Sequence, residues 1–479
     1  MDTSTRDVLG ADLRAQSFIH RLPVELLSAI FILCLDSTFI RPDRRKVPLL
    51  PSQVCSRWRT CALDTPRLWS SLSIADTAEE HKHTAFNIGY SRLPRQSNGR
   101  FGSQLIILKI WATRSRGLPL SLSVHLASKY SEQDQAHSQV LSSYFIRAQV
   151  LHLHLDSTWL PMLSGITCGV LEELSVESRT SDSFSLDHPL HAPHLLRLHL
   201  HYATEWALGS FVFSHSRLTE LIWHPTWESE RLIEMLASCG SLTHCSVAYR
   251  EYPESQPSTV SLPSLEQLEV FGDHTNDIRP LLRSLDVPRL EKLKFNMRLP
   301  YESEARLDAH SIRFMLYRSS CQLRHLEVQF KSPLCTDATD FLALLEAVPC
   351  IEVLRLEGRY GKLYEAPSDL KQIFQALKYA PPRKRLVPYL SEIYISFPCK
   401  YNEFPSNLDV ETMLSSRVAG EDNADEESTY LWSATISLSA LQPSPIASIT
   451  WHGLNDGLIY RDTLVRGREV YTDKVVVIL

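Results

Sequence analysis

The sequence predicts an α/β protein in which a small, all-helical N-terminal segment precedes a long, irregular array of strand-plus-helix units. Three observations carry this reading. Between Leu22 and Leu72, apolar residues fall at helical spacing behind proline and threonine start signals. From Leu171 onward, a six-residue apolar pattern returns at intervals of 23 to 25 residues. Finally, 479 residues with 44% hydrophobic content make a chain that is apolar enough to fold and too long for one compact domain. The expected divisions are a polar tail over 1–17, the helical segment over 18–72, the repeat array over 73–418, an acidic loop over 419–430 and closing strands over 431–479.

The first helix is expected from Pro23 to about Leu35. Proline suits a first helical position, where its missing N–H has no partner to lose, and Glu25 places negative charge in the first turn. At about 100° per residue, Leu33, Leu26, Ile30, Pro23, Cys34, Leu27, Phe31, Val24 and Leu35 spread over an arc of about 200°. A helix packed on one core needs a stripe of only ~100°. The surplus asks for a second partner, within this chain or outside it. A second helix is expected over Gln53–Ala62, with Val54, Cys55, Trp58, Cys61 and Ala62 on one face. Thr65 as N-cap and Pro66 at the first position then start a short third helix that carries Leu68 and Trp69.

In order, these submotifs read Leu22-Pro23-x-Glu25-Leu26-Leu27-x-x-Ile30-Phe31, Val54-Cys55-x-x-Trp58-Arg59, and Thr65-Pro66-x-Leu68-Trp69-Ser70-Ser71-Leu72. Together they resemble the F-box of the large fungal set of F-box proteins over roughly fifty residues. The resemblance implies a three-helix module docking on the Skp adaptor of a cullin-RING ubiquitin ligase. The matching positions are Leu22, Pro23, Glu25, Leu26, Leu27, Ile30, Phe31, Val54, Cys55 and Trp58. The loop from Asp36 to Pro51 is longer than in the shortest F-boxes.

The repeating pattern is apolar-x-x-apolar-x-apolar, with starts at Leu171, Leu195, Leu218, Leu242, Leu265 and Leu290, then at Leu323 and Ile351 after wider gaps. A period in the range of ~20 to 29 residues with this signature marks leucine-rich repeats, a short strand alternating with a helix or turn. Arg231–Leu236 and Phe341–Leu345 read as helices preceding their strands. Pro193, Pro263, Pro288 and Pro349 stand where they can end a helix and begin an extended segment. Weaker members extend back through Ala148–Leu153, Leu120–Val124 and Ser71–Ile74, and forward to Leu390–Ile395. The asparagine usual beyond the last apolar position is replaced by Arg179, Ala203, Thr226, Arg250, Asp273 and Arg298, so irregular turns are expected. The extra residues around 298–310 and 357–382 should form protruding loops or longer helices. The acidic run 421–427 reads as a solvated loop, and Leu431–Leu441 and Lys474–Leu479 as strands. The last, Val475–Leu479, would be an aggregation hazard as an open edge, so it should cap the array.

Composition narrows the function. Forty-nine Lys and Arg against 55 Asp and Glu give a net charge of −6, no electrostatic reason to expect nucleic acid. Met1–Gln16 is polar and charged, so no secretory signal is expected, and no apolar run reaches the ~18 to 20 residues of a membrane span. The ten cysteines form no C-x-x-C pair. They read as reduced thiols of a cytosolic or nuclear protein, with neither a zinc site nor a disulfide framework. No G-x-S-x-G, H-E-x-x-H, G-x-G-x-x-G or P-loop pattern occurs. We therefore expect neither an enzyme nor a bound cofactor.

Within each strand the two apolar residues turn inward, so the residues between and after them share the open face. The middle positions run His152, Ser175, His199, Ile222, Ser246, Glu269, Lys294, Glu327, Arg355. The following ones run His154, Glu177, His201, His224, Ala248, Phe271, Asn296, Gln329, Glu357. With strands ~4.8 Å apart, His152, His154, Glu177, His199, His201 and His224 are expected to form one histidine-rich patch. Three readings stay open: ordinary exposed strand residues, a substrate-recognition surface that also includes Phe271 and gains charge below about pH 6.5, and a metal site. The overall expectation is the substrate-recognition subunit of a Skp-cullin-F-box ubiquitin ligase, with an unknown protein as target. The alternatives are a leucine-rich-repeat scaffold outside any ligase, and a metal-binding or hydrolytic protein using the histidines.

Overall fold

A computed structural model describes residues 18–35, 38–76, 100–131, 134–178, 186–201, 210–224, 229–249, 259–273, 278–298, 309–330, 338–358, 368–378, 386–399, 412–413, 416–417, 433–440, 446–454, 457–466 and 469–477. The chain divides into two compact units, Met1–Ser214 and His215–Leu479. Both are mixed α/β.

Unit 1 begins with a 3-10 turn, Phe18–Arg21, and three helices: α1 (Val24–Leu33), α2 (Pro51–Val54) and α3 (Ser56–Asp64). Pro23 caps α1 rather than standing inside it, and the helix stops at Leu33. The second helix expected over Gln53–Ala62 is broken in two. Cys55 is extended at φ −156°, ψ 169°, and its Sγ accepts from the Trp58 N–H at 3.4 Å, which makes it the N-cap of α3. The third element is a 3-10 helix, Pro66–Trp69. Thr65 does not cap it through its side chain; its hydroxyl donates back to Cys61 O at 2.7 Å and lies 3.0 Å from Ser28 Oγ. Trp69 is fully buried, donating from Nε1 to Ala62 O at 2.8 Å and lying edge-on to Trp111 at 4.8 Å. That contact ties the helical segment to α4 (Arg100–Arg114).

Five parallel strands follow in the order β1 (Ser71–Ala75), β2 (Leu120–Leu126), β3 (Ala148–Leu155), β4 (Glu173–Ser178) and β6 (Arg197–His201), with α5 (Gln135–Phe145) between β2 and β3. Register aligns the inward residues into two buried ladders. One is Leu72, Leu122, Leu151, Leu174, Leu198 and the other Ile74, Val124, Leu153, Val176, Leu200. Each such side chain removed from water contributes roughly 1.5–3 kcal/mol, which is why the period recurs. The open edge of β1 is covered by the loop after α1: Ser73 N–H donates to Ile40 O at 2.8 Å and Ser71 Oγ donates to Thr38 O.

Unit 2 repeats the plan. Its parallel strands are β8 (Glu220–Trp223), β9 (His244–Tyr249), β11 (Gln267–Asp273), β13 (Lys292–Arg298), β14 (His325–Phe330), β15 (Val353–Gly358), β16 (Glu392–Cys399) and β17 (Ser433–Ala440). Three antiparallel strands, β18 (Ile446–Leu454), β19 (Gly457–Arg466) and β20 (Glu469–Val477), complete that sheet, with β20 as its last strand. Leu221, Cys245, Leu268, Leu293, Leu326, Leu354 and Ile393 make one buried ladder, parallel to a second from Trp223 to Ile395. The helices are α6 (Ser229–Ala237), α7 (Arg279–Ser284), α8 (Ala309–Ser319), α9 (Ala338–Ala347) and α10 (Ser368–Leu377).

The expectation of one helix per strand needs correction. Where starts are 23 to 25 residues apart, the described part of several connections includes a short extended piece. In unit 1, β5 (Leu190–Ala192) pairs with β7 (Phe211–Phe213); in unit 2, β10 (Val260–Ser261) pairs with β12 (Leu285–Asp286). Pro193 follows β5, and Pro263 and Pro288 stand just beyond β10 and β12, so these prolines end short strands rather than helices. The wider gaps before β14, β15 and β16 hold the helices α8, α9 and α10, α9 ended by Pro349 as expected, while α6 lies in an interval of ordinary length. Arg179, Ala203, Thr226, Arg250, the acidic run 421–427 and Ile478–Leu479 lie outside the described residues.

Candidate functional sites

The helical segment presents its apolar residues on two sides. Leu27 and Phe31, 0% and 2% exposed, face inward, where Phe31 meets Trp58 at 5.1 Å and Ser28 Oγ lies 3.2 Å from Cys61 Sγ. Arg57 donates to Leu22 O and holds the start of α1 against α3. On the other side, Leu26, Ile30 and Leu33 stand at i, i+4 and i+7 and are 53%, 40% and 84% exposed. Val54 and Leu50 are exposed too. The ten expected docking residues therefore separate. Pro23, Glu25, Leu26, Ile30 and Val54 are exposed, Leu22, Cys55 and Trp58 half-buried, and Leu27 and Phe31 belong to the segment's own core. Leu33, which the family resemblance does not include, is the most exposed of the stripe.

The second surface is the outward face of unit 1. His152, Ser175 and His199 lie in one cross-strand row, and His154, Glu177 and His201 in the next. His152 Nε2 lies 2.5 Å from Glu173 Oε1, and Arg197 holds the other oxygen at 2.7 Å. The hydrogen bond from His152 and the adjacent guanidinium outweigh burial and hold the Glu173 carboxyl at about 2. His154 Nδ1 lies 2.7 Å from Glu177 Oε2. Burial and the neighbouring imidazoles push His201 below the usual histidine range. Two residues were missed from the sequence. His125 stacks flat on His154 at 4.3 Å, and Phe39, from the loop after α1, packs on His152 at 4.6 Å. His125 follows Val124 as His154 follows Leu153, so the column rule extends to it; Phe39 had no such signal.

The remaining predicted residues, His224 and Phe271, lie in unit 2 and meet each other at 4.3 Å, with His224 Nε2 3.0 Å from Ser246 Oγ. Beside them Lys294 bridges Glu269 at 3.1 Å and Glu327 at 3.4 Å. Burial opposes ionisation of Glu327, but His325, Lys294 and Gln329 outweigh it and hold that carboxyl at about 2. Among the described residues, no group of three or more His, Cys, Asp or Glu is placed to hold a metal ion, and no helix is long and apolar enough to cross a membrane. No family model matches this chain, and no curated protein matches its sequence.

Proposed function

We propose that this chain is the target-recognition subunit of a Skp-cullin-F-box ubiquitin ligase, with the helices of residues 18–72 as an F-box and the strand array as a leucine-rich-repeat solenoid. The observation that carries the reading is the apolar stripe of Leu26, Ile30 and Leu33, left exposed on a helix whose opposite side already fills its own core. Covering what these three expose is worth about 3 kcal/mol by area alone, a reason for a partner to sit there. The ordered submotifs over Leu22–Leu72 supply the partner's identity, the Skp adaptor. On this reading the chemistry belongs to other subunits, and this chain contributes proximity between a target and the ubiquitin-carrying machinery.

Capture of a purified Skp adaptor by the full chain tests it. Leu26→Gln with Ile30→Gln, both at exposed sites, should weaken capture ~30-fold or more without changing the unfolding midpoint. Undiminished capture by the double variant refutes the docking assignment. Co-purification of a cullin separates a ligase subunit from an adaptor-bound scaffold.

A further inference from the structure

The helices of unit 2 differ in what they leave outside. α8 buries Ile312, Met315 and Leu316 on one side. At about 100° per residue, its other side gathers His310, Arg313, Phe314, Tyr317 and Arg318 within an arc of about 140°. Phe314 and Tyr317 are 48% and 88% exposed, and among the described residues no other helix of unit 2 exposes an aromatic side chain.

Arg318 is fixed in place on this face. Its guanidinium donates to the carbonyl oxygens of Leu282, Arg283 and Leu285 and stands 5.5 Å from the centre of the Phe314 ring. Carbonyls hold the side chain without cancelling its charge, and they bring the last turn of α7, with exposed Arg283, alongside α8. Arg283 and Arg313 make no ion pair among the described residues. Neither α7 nor α8 contains an Asp or Glu. Of the elements packed on α8, β12 adds Asp286, which accepts from Ser261 Oγ at 3.2 Å, and α9 adds Glu346. Arg279, Arg283, Arg313 and Arg318 therefore outnumber the described acids around them, in a chain whose net charge is −6.

An uncharged partner covering Arg283 and Arg313 would desolvate two guanidiniums without pairing them, and a basic one would be repelled. Nucleic acid and membranes are disfavoured by number. Proteins held to DNA by charge make ~6 to 10 phosphate contacts, and membrane-binding patches carry about 4 to 8 Lys or Arg. Here two exposed arginines are unpaired and a third is committed to carbonyls. Tyrosine and arginine are the residues that anchor protein interfaces.

We propose that the outer face of α8 binds an acidic stretch of a partner protein, its carboxylates meeting Arg283 and Arg313 and an adjacent apolar or aromatic residue packing on Phe314 and Tyr317. The surface belongs to the helices rather than to the outward strand rows, so it is separate from the target-recognition face proposed above and stands whether or not the chain joins a ligase. Exposed ion pairs contribute modestly and are screened by salt, which leaves the rings as the main anchors.

The test immobilises the full chain and pans a randomised heptapeptide library. Recovered peptides should be enriched in Asp and Glu together with Phe, Tyr or Leu, and binding should weaken as salt is raised. Arg283→Gln and Arg313→Gln should each weaken a recovered peptide about threefold, and Tyr317→Ala at least about tenfold, with unchanged unfolding midpoints because all three side chains are exposed. The same peptide with Asn and Gln in place of its acids should not bind, and this comparison leaves the protein unaltered if a variant misfolds. Recovery without an acidic excess, or acidic peptides whose binding survives all three substitutions in folded protein, overturns the proposal. A short single-stranded oligonucleotide and phosphatidylserine vesicles are tried on the same preparations. Retention of either that is lost in the Arg283→Gln, Arg313→Gln double variant gives the face to phosphates and overturns the assignment to a protein.

Discussion

Glu173→Gln is expected to cost unit 1 about 2 kcal/mol at pH 7 and almost nothing near pH 2. In the folded chain the Glu173 carboxyl titrates at about 2, against an ordinary 4.5, because His152 and Arg197 both grip its oxygens. At 1.36 kcal/mol for each tenfold change, that difference caps the stabilisation at ~3 kcal/mol. Its side chain is 15% exposed, so water reduces the working figure to ~2 kcal/mol. A carboxyl whose folded pKa is depressed contributes its full stability above its unfolded pKa and loses it as pH falls through the folded one. The window is therefore from about 4.5 down to about 2. Hydrogen exchange of the β3 and β4 amides reads the opening free energy of this region without requiring the whole chain to unfold in one step. Wild type and variant, compared at each pH, should differ most above 4.5 and converge toward pH 2. A difference that stays constant from neutral to acid pH would refute the ionic account and assign the cost to packing or to a misplaced amide N–H.

Two further outcomes are expected. Arg417, 3% exposed, donates to Leu377 O at 2.9 Å, to Val387 O at 2.8 Å and to Leu386 O; Arg417→Met, which takes this donor from all three carbonyls and leaves Val387 O only its bond from the Leu390 N–H, should lower the stability of unit 2 by ~3 kcal/mol in urea unfolding. Cys34 is exposed, whereas burial pushes the Cys168 and Cys239 thiols up to about 11 and about 12. Mass spectrometry after brief maleimide treatment of the native chain should therefore find Cys34 modified at least ~100-fold faster than these two, and bound adaptor should slow the Cys34 reaction.

Much of this organisation is legible in the sequence, and the reason is physical. Parallel strands that pair in register keep residues at the same place in the motif side by side, so writing Leu174, Leu198 or Leu268 and Leu293 in one column amounts to predicting contacts. Burial enforces it, since a slip of one residue would turn both ladders out to solvent. The features that escaped depend on contacts between residues far apart in sequence or on a single backbone angle. Phe39 reaches His152 across more than a hundred residues, Arg417 closes on carbonyls of Leu377 and Val387, and Cys55 turns extended to begin a new helix. No periodicity encodes any of these.

The connections between strands show the same division. A wide gap announces a helix because the extra residues must be packed against the sheet, as at α8 and α9. A gap of ordinary length does not say whether it will hold a helix, a 3-10 turn or a short strand, and the prolines at 193, 263 and 288 were compatible with more than one outcome.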